Sequence, residues 1–185
     1  MDQMERRSLS VLVDNEAGVL SQVSRMFSRK GYNIESLAVG TTDDPAVSRI
    51  TIEVMADEKH TNLLCNQLRK LLPVHSVKLL NPENSIRREL ILIKVNAASS
   101  EACNRVIQVA NIFRASIIDV SPTTLTLAMI GEESKAEAIV GLVKEFGILE
   151  LVRTGMVALE RGKATISDNA DNKETDEFEL GKNVL

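Results

Sequence analysis

Asn15-Glu16-Ala17-Gly18-Val19-Leu20 joins an alternating apolar stretch to a helix-periodic one. Its amides would then lie at a helix N-terminus, where the first backbone N–H groups have no intrahelical partner. With the positive end of the helix dipole, such amides suit an anion, a carboxylate among them. Gly18 carries no side chain to block close approach, and Asn15 offers both an amide donor and a carbonyl acceptor. Gly31-Tyr32-Asn33-Ile34-Glu35 is expected to enter the next strand beside this loop, and Asn33 there fits recognition of an ammonium group. An ordinary cap and turn would use Asn and Gly in the same places, so the residues alone leave both readings open.

The other reactive side chains make no catalytic set. Asp43-Asp44 precede Pro45, where Asp is expected for turn chemistry. His60 and His75 are not spaced like zinc ligands. Cys65 and Cys103 are far apart in helix-like stretches, which argues against a disulfide framework or a CxxC pair and for packing as small hydrophobes. Arg87-Arg88 precede a strand and suit either solvent or an acidic partner surface. No nucleophile elbow, phosphate-binding loop, dinucleotide fingerprint or HExxH is present. An enzyme standing alone is therefore disfavoured.

Composition narrows the classes further. The 185 residues are 44% apolar and 26% charged, enough for one large domain or two small ones. A net charge of −4, no Trp, one Tyr and four Phe argue against nucleic acid. Phe27, Phe113 and Phe146 fall on helix faces, not on a sheet that could stack bases. No apolar run approaches the ~20 residues of a membrane span, and the N-terminal residues do not read as a secretory signal. A soluble, reducing, cytoplasmic setting is the expectation.

The elements that must position the loop follow from periodicity. Ser8–Val13 alternates as a strand, Val19, Leu20, Val23, Met26 and Phe27 share a helix face closed by Gly31, and Asn33–Gly40 reads as a second strand. Val47–Met55 is a third strand. Asp57 caps a helix carrying Leu64, Leu68, Leu71 and Leu72 on one side and stopped by Pro73, and Val74–Leu80 is a fourth strand. After a polar linker at residues 81–85 the order repeats. Glu89–Val95 is a strand, and Ser100–Phe113 is a helix with Ala102, Val106, Val109, Ala110 and Phe113 inward. Strands follow at Ser116–Val120 and Leu125–Ile130, then a helix over Glu133–Phe146 and a last strand over Ile148–Leu159, interrupted at Gly155. The fold class is α+β, two ferredoxin-like (βαββαβ) domains. Each is expected as a four-stranded antiparallel sheet with two helices on one face, the other face uncovered and the edges free. Residues 1–80 form the first domain and 86–162 the second. Residues 163–185, with Asp168, Asp171, Glu174, Asp176, Glu177 and Glu179 against few cations, are read as a disordered acidic tail.

An ordered set of segments resembles one family. Ser10-Val11-Leu12-Val13-Asp14-Asn15-Glu16-Ala17-Gly18-Val19-Leu20 and Arg29-Lys30-Gly31-Tyr32-Asn33-Ile34-Glu35-Ser36-Leu37 are similar to the regulatory (small) subunits of acetolactate synthase, also called acetohydroxyacid synthase. So are Thr42-Asp43-Asp44-Pro45, Ser48-Arg49-Ile50-Thr51-Ile52 and Gln67-Leu68-Arg69-Lys70-Leu71. In the second half the match continues in Arg88-Glu89-Leu90-Ile91-Leu92-Ile93-Lys94-Val95, Ile112-Phe113-Arg114-Ala115 and Ile117-Ile118-Asp119-Val120. It runs from about Arg6 to Gly162.

The resemblance implies an N-terminal ACT domain, the amino-acid-binding version of this fold. It implies a chain that is not itself an enzyme and has no cofactor of its own, thiamine diphosphate, Mg and FAD belonging to the large catalytic subunit. Such a subunit activates its catalytic partner and makes it sensitive to valine, sometimes to leucine or isoleucine, bound between two paired ACT domains of a homodimer. By position, Asn15, Gly18, Val19 and Leu20 would hold the effector from the helix-start loop, Asn33 and Ile34 from the facing segment, and Gly40 would line the site from its strand. A stand-alone ACT-type amino-acid sensor acting on a different partner is the alternative, and the second-half matches favour the synthase subunit.

Overall fold

The computed structural model describes residues 4–167. Of the expected tail, residues 168–185 lie outside the described residues. The chain divides into two compact units: residues up to Ile86 together with those from Ala158 on, and Arg87–Val157.

The first unit runs β1 (Glu5–Asp14), α1 (Val19–Arg29), β2 (Ile34–Thr41), β3 (Val47–Ala56), α2 (Glu58–Arg69) and β4 (Val74–Leu80). Its antiparallel sheet has the order β2-β3-β1-β4, with β2 and β4 as edges. The period-two pattern sets the register. Leu9 and Val11 of β1 lie opposite Ile52 and Ile50 of β3, and these residues, with Val13 and Val54, face the helices. Val19, Val23, Met26 and Phe27 of α1 and Leu64 and Leu68 of α2 close the same core. The Asp57 carboxylate caps α2 by accepting the His60 N–H at 2.7 Å. The helical spacing overreaches in two places. Leu20 is 42% exposed, because one step of the helix turns it away from the face that Val19 and Val23 fill. Leu72 is 98% exposed, because α2 ends at Arg69 and the last turn tightens through bonds from Lys70 N–H to Gln67 O and Leu71 N–H to Leu68 O. Pro73 disfavours helical backbone at the residue before it, which ends the leucine face early.

The opposite face of this sheet is polar and not left bare. Glu53 is buried there and accepts from Ser8 Oγ at 2.9 Å, with Arg6 Nε at 3.5 Å. Residues 158–167, which belong to this unit, run beside β4. Ser76 Oγ donates to the Ile166 carbonyl at 2.8 Å, Lys78 Nζ donates to the Thr165 carbonyl at 2.8 Å and also pairs with Glu160, and Ile166 is buried. The uncovered face expected of this domain is thus partly covered by the chain's own later residues.

The second unit is built from β5 (Ser85–Asn96), α3 (Ser100–Phe113), β6 (Ser116–Val120), β7 (Thr124–Gly131), α4 (Glu133–Val143) and β8 (Ile148–Arg153). Strand β9 (Val157–Glu160) follows the expected interruption at Gly155. The strand order is β6-β7-β5-β8, with β9 also paired to β5, which makes five strands where four were expected. Ile91, Ile93 and Val95 pack with Leu125, Leu127 and Met129 and with Val106, Ala110, Ala136, Ile139 and Val143 from the helices. Val109 and Phe113 pack half-buried against this core, and Ala102, expected inward, is half-buried without joining it. Strand β5 starts four residues earlier than its alternation suggests, because the linker spends only Pro82–Asn84 in one tight turn.

Candidate functional site

The loop between β1 and α1 has the features of an anion cradle. Gly18 occupies the N-cap of α1 at φ +89°, a left-handed conformation that glycine adopts without penalty, and α1 receives no side-chain cap. A Cβ built at Gly18 would meet nothing within 4 Å, so the space above the loop is open. The first helical bond is Gln22 N–H to Gly18 O at 3.0 Å, and Val19 N–H reaches Glu16 O only at 3.4 Å. Among the described residues the N–H groups of Gly18, Leu20 and Ser21 have no hydrogen-bond acceptor. The first turn of α1 also lacks an acidic residue, so no carboxylate within that turn balances the positive helix end.

Asn15 has a bracing role alongside. Its Nδ2 donates to the Pro45 carbonyl at 2.9 Å, its Oδ1 accepts from Ser48 Oγ at 3.0 Å, and its backbone N–H donates to Ala46 O at 2.7 Å. These bonds tie the loop to the turn between β2 and β3. One amide hydrogen and one lone pair of the side chain stay unengaged.

Asn33 and Ile34 sit elsewhere. They follow the C-terminal end of α1, while the loop precedes its N-terminal end, and an eleven-residue helix is about 16 Å long. Ile34 lies opposite Val54 near one end of β2, whereas Gly40 lies opposite Arg49 near the other end, close to the turn that Asn15 holds. So the structure brings Asn15, Gly18, Val19 and Leu20 together and carries Gly40 toward their end of the sheet. Asn33 does not enter beside the loop as expected; within one chain it lies at the opposite end of β2, donating to Glu35 Oε1 at 2.8 Å. Strand β2 is an exposed edge.

Sequence reasoning missed one contributor, Ser21, and one cation near Gly40, Arg49. Ser21 supplies one of the three open N–H groups, which the amide count of a helix start could have included. Arg49, across from Gly40, is a half-buried cation whose Nε donates to Ser10 Oγ at 2.9 Å. Burial pulls its pKa down, and the nearby Glu160 carboxylate counters this. Only the pairing register shows that it faces Gly40.

The remaining reactive residues are structurally engaged. Asp44 Oδ1 accepts from Ala46 N–H at 2.9 Å, in keeping with turn chemistry. His75 Nε2 lies 2.7 Å from Asp14 Oδ1, and Arg88 pairs with Glu132 at 2.7 Å. Cys65 is buried, and burial pushes its thiol pKa up, away from the reactive thiolate. Among the described residues no group of three or more His, Cys, Asp or Glu could hold a metal ion, and no helix is long and apolar enough to cross a membrane.

The βαββαβ sheet with a glycine-gated helix start is the architecture of an ACT domain, and residues 9–76 match the model of the AHAS small subunit-like ACT domain. Residues 88–162 match the model of the small subunit of acetolactate synthase. The chain is 40% identical over 158 residues to the probable acetolactate synthase small subunit of Methanothermobacter thermautotrophicus, covering 85% of this chain and 94% of that one. It is 45% identical over 155 residues to the acetolactate synthase small subunit of Mycobacterium bovis, covering 84% and 92%. The crystal structure of the Thermotoga maritima acetolactate synthase small subunit superposes with a TM-score of 0.81 at 36% identity, over 87% of this chain and 100% of that one. The chain belongs to the acetolactate synthase small-subunit family: it is a regulatory, non-catalytic subunit in branched-chain amino acid biosynthesis.

Proposed function

We propose that the first unit binds valine, or leucine or isoleucine, between two copies of the chain, and that this binding sets the activity of an acetolactate synthase large subunit. The observation that carries the reading is the trio of open N–H groups at Gly18, Leu20 and Ser21 beside uncrowded space. They match an α-carboxylate in charge and geometry. An α-amino acid also needs an acceptor-bearing group for its ammonium and an apolar wall for its side chain. Asn33 and Ile34 have that chemistry but sit at the wrong end of β2 within one chain. A symmetrical antiparallel pairing of two β2 edges sets Ile34 of one copy opposite Thr41 of the other. That carries Asn33 of the second copy to the end of the sheet where the loop lies. The distribution of residues along β2 therefore favours a site shared by two copies over a site in one.

The partner is a thiamine-diphosphate-dependent large subunit, on which the cofactors reside. The amino acid must favour one arrangement of the small-subunit pair over another for any effect to reach that partner. A coupling of about 1–3 kcal/mol gives roughly 5–150-fold changes. Discrimination among the three amino acids by one methylene is worth about 1–3 kcal/mol in an apolar pocket.

Thermal unfolding with each of valine, leucine, isoleucine and lysine tests the binding. At 100 times the dissociation constant a ligand adds about 2.7 kcal/mol, which is several degrees for a chain of this size. The melting temperature rises with at least one branched-chain amino acid and not with lysine. Identical melting temperatures under all four conditions refute binding by the subunit.

A further inference from the structure

An open groove of about 500 Å³ runs between α1 and α2 in the first unit. Its walls carry Arg25, Arg29, Lys30 and Lys70, and Met26 and Leu71 lie among them as apolar contacts. No carboxylate lines the groove, and among the described residues none of these four cations has an ion pair. Helix α1 contains no acidic residue, and the nearest acid on α2, Glu58, begins the helix that Lys70 ends. Four uncompensated cations within one groove repel one another, and an anionic occupant relieves that repulsion.

The sequence supplies such an occupant. Residues 168–185 hold six carboxylates against two lysines, an excess of four that equals the net charge of the whole chain. The other residues are therefore balanced overall, while the groove is cationic and this segment anionic. Within the segment, Glu174-Thr175-Asp176-Glu177-Phe178-Glu179-Leu180 mixes carboxylates with two large apolar residues, the complement of a cationic rim around Met26 and Leu71. The reach is sufficient. The Ile166 carbonyl is bonded to Ser76 on the edge strand β4, and Ser76 follows Leu71 of the groove by five residues, at most about 18 Å of chain. Glu174 follows Ile166 by eight residues, which extend to about 29 Å.

We propose that the carboxylate-rich segment 174–180 docks in the α1/α2 groove of its own chain, held by Arg25, Arg29, Lys30 and Lys70. Tethering to the same chain raises the effective concentration of the segment at the groove. The exposed ion pairs are each weak and screened by salt, so the docked state is releasable. An acidic surface of another protein would compete for the same groove.

Zero-length carbodiimide cross-linking of the full chain, in an equal mixture of ¹⁵N-labelled and unlabelled protein, tests this. At low salt, mass spectrometry is expected to find amide cross-links from Lys30 or Lys70 to Glu174, Asp176, Glu177 or Glu179, within one isotope. Their yield falls at least five-fold in 0.5 M NaCl. It also falls at least five-fold in the double variant Arg25→Gln/Arg29→Gln, which keeps both reactive lysines and changes only exposed positions. Cross-links to Lys59 or Lys135 as abundant as those to Lys30 and Lys70 would overturn the proposal. So would yields indifferent to salt and to the double variant. Mixed-isotope cross-links in the statistical proportion would replace the intramolecular occupant with the segment of a second copy.

Discussion

Gly18 is the residue on which the binding account turns. Its left-handed backbone and open surroundings keep the helix-start amides accessible, and a carboxylate planted there would occupy the space proposed for the ligand's own. Gly18→Asp should abolish the amino-acid-dependent rise in melting temperature. Gly18→Asn has the same shape and tolerates left-handed backbone. It should retain at least part of the rise, so the difference between the two isolates charge from strain. Equal loss in both would assign the effect to backbone distortion. The sequence placed Gly18 at a helix start, where an ordinary cap would also use glycine, so it did not by itself separate the binding role from the capping one. It left open whether the Asn15 side chain serves a ligand or the turn. Half of that amide's capacity goes into the Pro45 carbonyl and Ser48, residues 30 and 33 positions away that no local pattern could pair with it.

At the scale of elements, strands and helices were legible where one face is buried and the period is enforced by a core. Strand β4, helix α3 and strand β6 match their expected limits, because a proline, a capping serine or a turn marks each end. The pattern failed at Leu72, which is exposed past the end of α2, while Leu71 still packs half-buried against the core. It also gave no sign that residues 158–167 return to the first unit. Their anchors are mostly backbone carbonyls, which have no sequence signature. The cap of α2 makes a prediction at this scale. The His60 N–H, and then the His60 ring, hold the Asp57 carboxyl below the ordinary carboxylate pKa. A carboxyl depressed in the folded state contributes stability above its unfolded pKa of about 3.9 and loses it as pH falls through the folded value. The melting temperature of Asp57→Asn should therefore fall less steeply than that of the parent chain when pH drops from 5 to 2.5. Parallel profiles would show that the cap does not couple to protonation.

At the scale of the whole molecule, the two-copy site rests on the free edge of β2. A long exposed edge invites pairing, and lysine on such an edge opposes it. Val39 is 48% exposed near the middle of that strand. Val39→Lys should raise the dimer dissociation constant at least tenfold in sedimentation velocity and shrink the valine-dependent thermal shift in step. A weakened dimer with an undiminished shift would place the whole site within one chain. The sequence disclosed that Asn33 and the loop have complementary chemistry. It could not disclose that they lie at opposite ends of one strand, because that separation is a property of register and not of spacing.

The most direct test measures acetolactate synthesis by a large subunit from the same source, alone and with this chain, across a valine, leucine and isoleucine titration. The chain is predicted to raise the rate, and at least one of the three amino acids to lower it again. With Gly18→Asp the activation should persist while the response to the amino acid disappears. A chain that leaves the large subunit's rate unchanged, or a Gly18→Asp variant inhibited at the same amino acid concentration as the parent, would contradict the account.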